Sequence, residues 1–330
     1  ADEIARGGMG AIIGAADLRL GRRLALKVML EPERAPPELV VRFVEEAQIQ
    51  GQLEHPNICP VYELGLDDGG RPFFAMKRVK GRSLAQLLKA GELSLHRRLD
   101  VFLKVCDAVA FAHARGVIHR DIKPDNVMVG EFGEVLLMDW GIAKVVGQPE
   151  RDAVLPTARG EDGDPLTMIG GAIGTPHFMS PEQARGDADV DARTDVYALG
   201  GVLYQILTGQ RPVQGKSLPL LLKAVQDNAI VPPRERAPDA GVPRDLEAAC
   251  MRALAGRRDD RYAQVEDLAD DIRAFIEGRA LSAVQYTLPE RIAKWYGRNR
   301  TFARMAIFAS VVAVIGAGAL AFQREQTRVE

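Results

Sequence analysis

Residues 118–129 read IHRDIKPDNVMV, which sets a histidine, an arginine, two aspartates, a lysine and an asparagine between short apolar runs. A charge run met alone is most often a solvated loop. Here a second stretch, EVLLMDWGIAK at 134–144, repeats the pattern of a short apolar strand broken by an aspartate. Strand-like flanks that bury themselves while lifting polar groups clear are how a scaffold presents ligands to a cleft. Asn126 and Asp139 are hard oxygen donors of the kind magnesium takes, one or two side chains completed by phosphate oxygens, and Asp121 supplies a third oxygen nearby.

The preceding chain supplies the cationic half of such a site. Residues 5–30, ARGGMGAIIGAADLRLGRRLALKVML, read as a glycine cluster followed by two strands with a turn at Gly21. Glycine lets backbone amides approach a phosphate closely. A glycine cluster by itself is more often an ordinary turn. Lys27 gives it weight, because an ammonium in an apolar strand needs an anionic partner. Glu45 and Glu46 fall mid-helix in PELVVRFVEEAQIQGQLEHPNI, where Val40, Phe43, Ala47 and Leu53 keep helical spacing, and either carboxylate could neutralise Lys27. In SLHRRLDVFLKVCDAVAFAHARG, Leu95, Leu99, Phe102, Cys106, Val109 and His113 step by four and three. That spacing predicts a helix from near Ser94 to just before Gly116. A glycine lid, a strand-borne lysine and three oxygen side chains suit phosphoryl transfer, which needs positioning and charge neutralisation more than a covalent nucleophile. No Ser-His-Asp arrangement competes.

Taken in order, these motifs resemble the signature set of the protein kinases, and of the bacterial Hanks-type transmembrane serine/threonine kinases in particular; HRDIKPDN matches at seven of eight positions. The resemblance spans residues 1 to about 277. It implies an α+β fold of two lobes, a β-rich small lobe at 1–79 and a helical large lobe at 80–277, with Mg2+ and ATP between them. By the same resemblance, Asp121 is the catalytic-loop aspartate that takes the substrate hydroxyl proton, and Lys123 steadies the transferring phosphoryl group. Asn126 and Asp139 are the magnesium ligands, Lys27 the α/β-phosphate lysine, and Glu46, favoured over Glu45, its helix partner. Gly7, Gly8 and Gly10 form the phosphate lid. Ile12, Ala25 and Met128 close on the adenine faces. Met76 is the gatekeeper of a hinge running through Lys77, Arg78 and Val79. Gly174, Thr175 and Pro176, with Ser180, Pro181 and Glu182, match the substrate-docking end of the activation segment. Asp195 braces the catalytic loop, Arg261 pairs with Glu182, and His119 packs against Trp140.

The same comparison exposes departures. Ala5 stands at the first glycine of G-x-G-x-x-G, Trp140 replaces phenylalanine after the metal-binding aspartate, and Gln50 falls where an apolar side chain usually stacks on that aromatic. A pseudokinase scaffold would keep the fold and lose a catalytic group, yet Lys27, Asp121, Asn126 and Asp139 are all present. A small-molecule phosphotransferase could share the metal site but would not need Lys123 or the GTP and SPE elements. The 44 residues from Asp139 to Glu182 are rich in Gly, Pro, Asp and Arg, with Thr167 the expected phosphosite and Thr157 the second choice. Arg120 is the residue that grips such a phosphate in the family, through charge-assisted bonds.

Length and composition bound the rest. The 330 residues are 47% hydrophobic with a formal net charge of -2, which suits one large core or two modest ones and offers no basic surface for nucleic acid. Cys59, Cys106 and Cys250 lack C-x-x-C spacing and read as core thiols in a reducing compartment. The chain opens without a signal peptide almost directly in the glycine stretch, so its natural beginning is expected to be missing. Residues 305–322, MAIFASVVAVIGAGALAF, carry no charge over 18 positions, which meets the lower limit for a bilayer-spanning helix. Basic residues and Trp295 and Tyr296 precede this run. The expected layout is therefore a juxtamembrane segment at 278–301, a membrane helix at 302–322 and an extracytoplasmic stub at 323–330, with the large N-terminal part in the cytoplasm at the inner (plasma) membrane. The alanines at 309, 313, 317 and 321 offer a helix-pairing face. Expected partners are proteins with Ser/Thr acceptors, and a second copy for autophosphorylation in trans.

Overall fold

The computed structural model describes residues 2–7, 10–145, 176–299, 305, 308–313 and 315–319. Five antiparallel strands open the chain: β1 Glu3–Gly7, β2 Gly10–Asp17, β3 Arg22–Val28, β4 Val61–Leu66 and β5 Pro72–Lys77, in the order β1-β2-β3-β5-β4. The register sets Lys27 between Ile12 on β2 and Phe74 on β5, so the lysine leaves the sheet from a central strand. Helix α1, Pro37–Gln52, starts with proline at its first turn and Glu38 beside the free amides, both favoured there. Its face carrying Phe43 and Ala47 is buried with Ala25, Met29, Cys59, Phe74 and Met76. The Phe43 and Phe74 rings lie 5.3 Å apart. Glu46 sits one turn along from Phe43 and is therefore carried inward with it.

The remainder is mainly helical: α2 Leu84–Ala90, α3 Leu95–Ala114, α4 Pro181–Arg185, α5 Arg193–Thr208, α6 Leu218–Gln226, α7 Pro233–Arg236, α8 Arg244–Ala253, α9 Val265–Ile276 and α10 Leu288–Arg298. Short strands bridge it to the sheet, with β6 Gly81–Ser83, β8 Val127–Gly130 and β9 Val135–Leu137 in one ladder, and β7 Val117–Ile118 paired with β10 Lys144–Val145. This β-rich first part and helical second part fit the two-lobed fold. Helix α3 has the limits its spacing predicted, with the Ser94 hydroxyl accepting from the Arg97 amide at 3.3 Å. Helix α5 is the pillar of the large core: every residue from Thr194 to Leu207 except Gln205 is buried. Each large aliphatic or aromatic side chain placed there contributes about 1.5–3 kcal/mol.

The packed domain runs beyond residue 277. Leu281 joins the main core, and the next residues dock on the buried Asp271 carboxylate. That carboxylate accepts from the Tyr262 hydroxyl at 2.7 Å, the Ser282 amide at 2.6 Å and the Ala283 amide at 3.0 Å. The expected juxtamembrane segment is thus tied down at its start and then forms α10. Among the described residues no helix is long and apolar enough to cross a membrane. Within 302–322 only 305, 308–313 and 315–319 are described; they are helical and exposed. The three cysteines are buried free thiols, and burial pushes Cys59 up to about 12.

Candidate active site

Lys27 reaches Glu46 across the gap between β3 and α1, with Nζ 2.5 Å from Oε1 and 2.7 Å from Oε2. Asp139 Oδ1 stands 3.7 Å from the same ammonium. Glu46, not Glu45, is the partner, because it shares the inward face of α1 with Phe43 and Ala47. Burial pushes the Glu46 carboxyl above its ordinary range, against the pull of the Lys27 ammonium. Gly141 makes room for this contact, since a Cβ there would stand 3.0 Å from Glu46 Oε2. Gly10 is required for a different reason: a Cβ there would sit 2.1 Å from the Val28 carbonyl oxygen, so close pairing of β2 with β3 demands glycine whatever the loop binds.

A second group gathers below. Lys123 Nζ donates to Asp121 Oδ2 at 2.7 Å, and Asn126 Nδ2 donates to the Asp121 carbonyl at 2.9 Å and to Oδ2 at 3.1 Å. Burial raises the Asp121 carboxyl, opposed by Lys123. The Asn126 amide nitrogen is fully used by Asp121, which leaves Oδ1, unbonded among the described residues, as the end a cation would take. Among the described residues no group of three or more His, Cys, Asp and Glu could hold a metal ion. A cation here would rely on Asn126, the half-exposed Asp139 and the oxygens of a ligand, a sparse set that suits magnesium bound together with phosphates.

The two groups are locked together by backbone. The Met138 amide donates to the Asn126 carbonyl at 2.8 Å, and His119 Nε2 meets the Met138 carbonyl at 3.2 Å. His119 is fully buried, with its ring 4.4 Å from that of Trp140. Arg120 and Asp139 both have left-handed backbones, with φ 68° and 62°. Such strain costs on the order of 1–3 kcal/mol per residue and persists only where neighbours enforce it. For Arg120 the enforcement is visible: its amide donates to Asp195 Oδ1 at 2.8 Å and its carbonyl accepts from Gln183 Nε2 at 2.9 Å. Asp195 Oδ2 also accepts from the His119 amide and meets His113 Nε2, each at 2.8 Å. Burial works against the Asp195 carboxylate, but these partners, His113 foremost, hold it below the usual range.

Residues 1–251 match the family model described as the protein kinase domain. The chain belongs to the protein kinase family. Among curated relatives, the serine/threonine-protein kinase PknD of Protochlamydia amoebophila is 35% identical over 293 residues, covering 84% of this chain and 30% of its own length. PknB of Mycolicibacterium smegmatis is 36% identical over 282 residues, covering 84% and 42%. PknB of Mycobacterium tuberculosis is 36% identical over 271 residues, covering 81% and 41%. The chain therefore spans less than half the length of these relatives.

Arg261 pairs with Glu182 at 2.6 and 2.8 Å, both side chains fully buried, and Thr194 Oγ1 donates to the same carboxylate at 3.1 Å. Ala25 and Met76 are buried in the small-lobe cluster, and Ile12 and Met138 pack against it, partly buried. Met128 is half-buried on β8. Among the described residues the Val79 amide and carbonyl take part in no backbone pairing. The Lys77 amide donates to the Pro60 carbonyl at 3.1 Å. A surface groove of about 430 Å³ is lined by Arg23, Arg78, Lys80, Glu131, Phe132 and Glu134, of which Arg78 alone belongs to the expected ATP site, as part of the hinge. Gly8, Thr157, Thr167, Gly174 and Thr175 lie outside the described residues. His113 and Gln183 were not singled out as positioning groups from sequence. His113 read as one more residue on the buried face of α3, and only the fold shows its imidazole reaching 82 residues along the chain to Asp195.

Gln50 is buried, and its Nε2 donates to the Cys59 carbonyl at 2.7 Å. Trp140 Nε1, also buried, has no hydrogen-bond partner among the described residues. The glutamine thus has a structural task, satisfying a carbonyl two residues before β4. Gln50→Leu keeps the volume and removes the donor, so it is expected to destabilise the domain by about 1–2 kcal/mol, read as a melting temperature lower by a few degrees.

Proposed function

We propose that this chain is an ATP-dependent serine/threonine protein kinase that transfers the γ-phosphoryl group of ATP to Ser or Thr hydroxyls of proteins. The observation that carries the reading is the paired geometry of the site: Lys27 held by Glu46 within 3.7 Å of Asp139, and Asp121 bonded to both Lys123 and Asn126. In this reading Lys27 holds the α and β phosphates, and the open Val79 backbone takes adenine between Ile12, Ala25, Met76 and Met128. The lid glycines 7, 8 and 10 cover the phosphates. Asp121 accepts the proton as the acceptor oxygen bonds to the γ-phosphorus and the bond to ADP breaks, while Lys123 offsets negative charge on the transferring oxygens. A carboxyl raised by burial suits this proton transfer better than an ordinary surface carboxylate. Magnesium held by Asn126 and Asp139 would neutralise phosphate charge. Chelation tests the dependence: labelled γ-phosphate should enter a generic protein acceptor with magnesium and cease to do so in EDTA, and no label in either condition would overturn the reading.

Residues 302–322 as a single-pass anchor complete the proposal, with the kinase domain, small lobe 1–79 and a large lobe from 80 that carries on past 277 through residues 281–283, on the cytoplasmic face. Its support is the uncharged run at 305–322 behind a basic, aromatic stretch. Thr167 is proposed as the autophosphorylation site, modified in trans within a dimer, with Arg120 receiving the phosphate. Mass spectrometry of active protein should find phosphate on Thr167; activity with Thr167 unmodified would remove it from the account.

A further inference from the structure

Helix α10 (Leu288–Arg298) has a polar flank and an apolar one. Its polar flank is fastened to the domain: Lys294 Nζ meets Asp245 at 2.7 Å and the Arg279 carbonyl at 3.2 Å, and Arg244 reaches Glu290 at 3.1 Å. A capping box between Thr287 and Glu290 fixes its start. On the opposite flank Leu288, Ile292, Trp295 and Tyr296 recur at i, i+4, i+7 and i+8, which makes a single stripe. They are 74%, 64%, 43% and 40% exposed. A helix that only closed the domain would turn this stripe inward.

The chemistry beside the stripe names its occupant. Between 288 and 304 the cations Arg291, Lys294, Arg298, Arg300 and Arg304 stand against the single anion Glu290. A tryptophan and a tyrosine within an apolar stripe suit the boundary between headgroups and acyl chains. Six residues, 299–304, separate the helix from the uncharged run at 305–322, at most about 21 Å of chain. A second copy of the chain would set like-charged arginines against one another, whereas an anionic bilayer answers both the charge and the apolar face.

We propose that α10 lies flat on the anionic surface of the bilayer, with its apolar stripe seated at the headgroup boundary, and so holds the large lobe against the membrane. This rests on the anchor reading for residues 302–322, and the test separates the two. The full chain is reconstituted into phosphatidylcholine vesicles with and without phosphatidylglycerol, and tryptophan quenching by lipids brominated at shallow or deep positions is recorded. The chain has two tryptophans and Trp140 is fully buried, so lipid quenching reports on Trp295. Flotation with the vesicles reads the anchor. Quenching of Trp295 reads the helix, and is expected to be stronger for shallow bromines and for anionic vesicles. The double variant Leu288→Glu, Ile292→Glu alters exposed positions only, and should lose the quenching while still floating and keeping its melting temperature. A chain that floats with Trp295 unquenched, or a variant quenched like the native chain, overturns the proposal and leaves the anchor standing. A chain that does not float defeats the anchor, and the proposal is then decided by Trp295 quenching alone. Trp295 emission already blue-shifted without lipid, together with concentration-dependent dimers, would assign the stripe to a second copy and overturn the proposal.

Discussion

Asp121→Asn is expected to lower phosphate transfer by about 10²- to 10⁴-fold while leaving the melting temperature unchanged or higher. The amide keeps an acceptor oxygen for Lys123 and for Asn126, so the loop geometry of 2.7 and 3.1 Å contacts can be retained. What disappears is the group that takes the hydroxyl proton. Stability follows the opposite sign. Burial raises the Asp121 carboxyl, so at neutral pH the native state carries the cost of keeping it charged, and a neutral side chain relieves that cost. Initial rates measured beside thermal melts check both halves. A variant that loses activity because it melts early would speak for a structural role, and one with native rates would remove Asp121 from the chemistry.

The second large effect lies away from the chemistry. Arg261→Met should cost about 3–5 kcal/mol, because it strands the fully buried Glu182 without the 2.6 and 2.8 Å bonds that neutralise it. Arg261 also donates to the Ala255 and Arg193 carbonyls at 2.8 and 3.0 Å, so the substitution loosens the α8 end from α5 as well. At roughly 2–4 °C per kcal/mol for a domain of this size, the melting temperature should fall by about 10 °C. The pair variant with Glu182→Leu should recover much of the loss, since removing both charges abolishes the stranded one. Burial would raise the Glu182 carboxyl, but the Arg261 bonds dominate and hold it below its ordinary range. A depressed carboxyl gives stability that is fully present above the unfolded-state value and is lost as pH falls through the folded one. The native domain should therefore weaken below about pH 4, and the double variant should show a shallower acid limb.

Much of this arrangement was legible in the chain because it depends on periodicity or on forced pairing. Helix α3 could be drawn from Ser94 to Gly116 since a cap and a 3.6-residue pattern coincide. Lys27 announced a carboxylate partner because an ammonium on an apolar strand is untenable alone, although choosing between two adjacent glutamates needed the resemblance. The bracing of Arg120 was only half legible. Its tie to Asp195 was expected from the resemblance alone, whereas the Gln183 contact to its carbonyl joins helix α4 to a loop 63 residues earlier and leaves no local pattern. The docking of residues 281–283 on Asp271 was invisible for the same reason: one acidic residue in a helix reads as surface until the fold buries it. Gln50, read as a gap in an apolar stack, turned out to serve the Cys59 carbonyl.

The central claim is that Asp121, Lys123, Asn126, Asp139 and Lys27 form one site for moving phosphate from ATP to a protein hydroxyl. Mapping the phosphate by mass spectrometry, after incubating the native chain and Asp121→Asn with magnesium, ATP and a generic protein acceptor, tests it most directly. The account predicts phosphate on serine and threonine with the native chain and only a trace with the variant. No transfer by a native chain that still binds ATP, or equal transfer by both proteins, would contradict it.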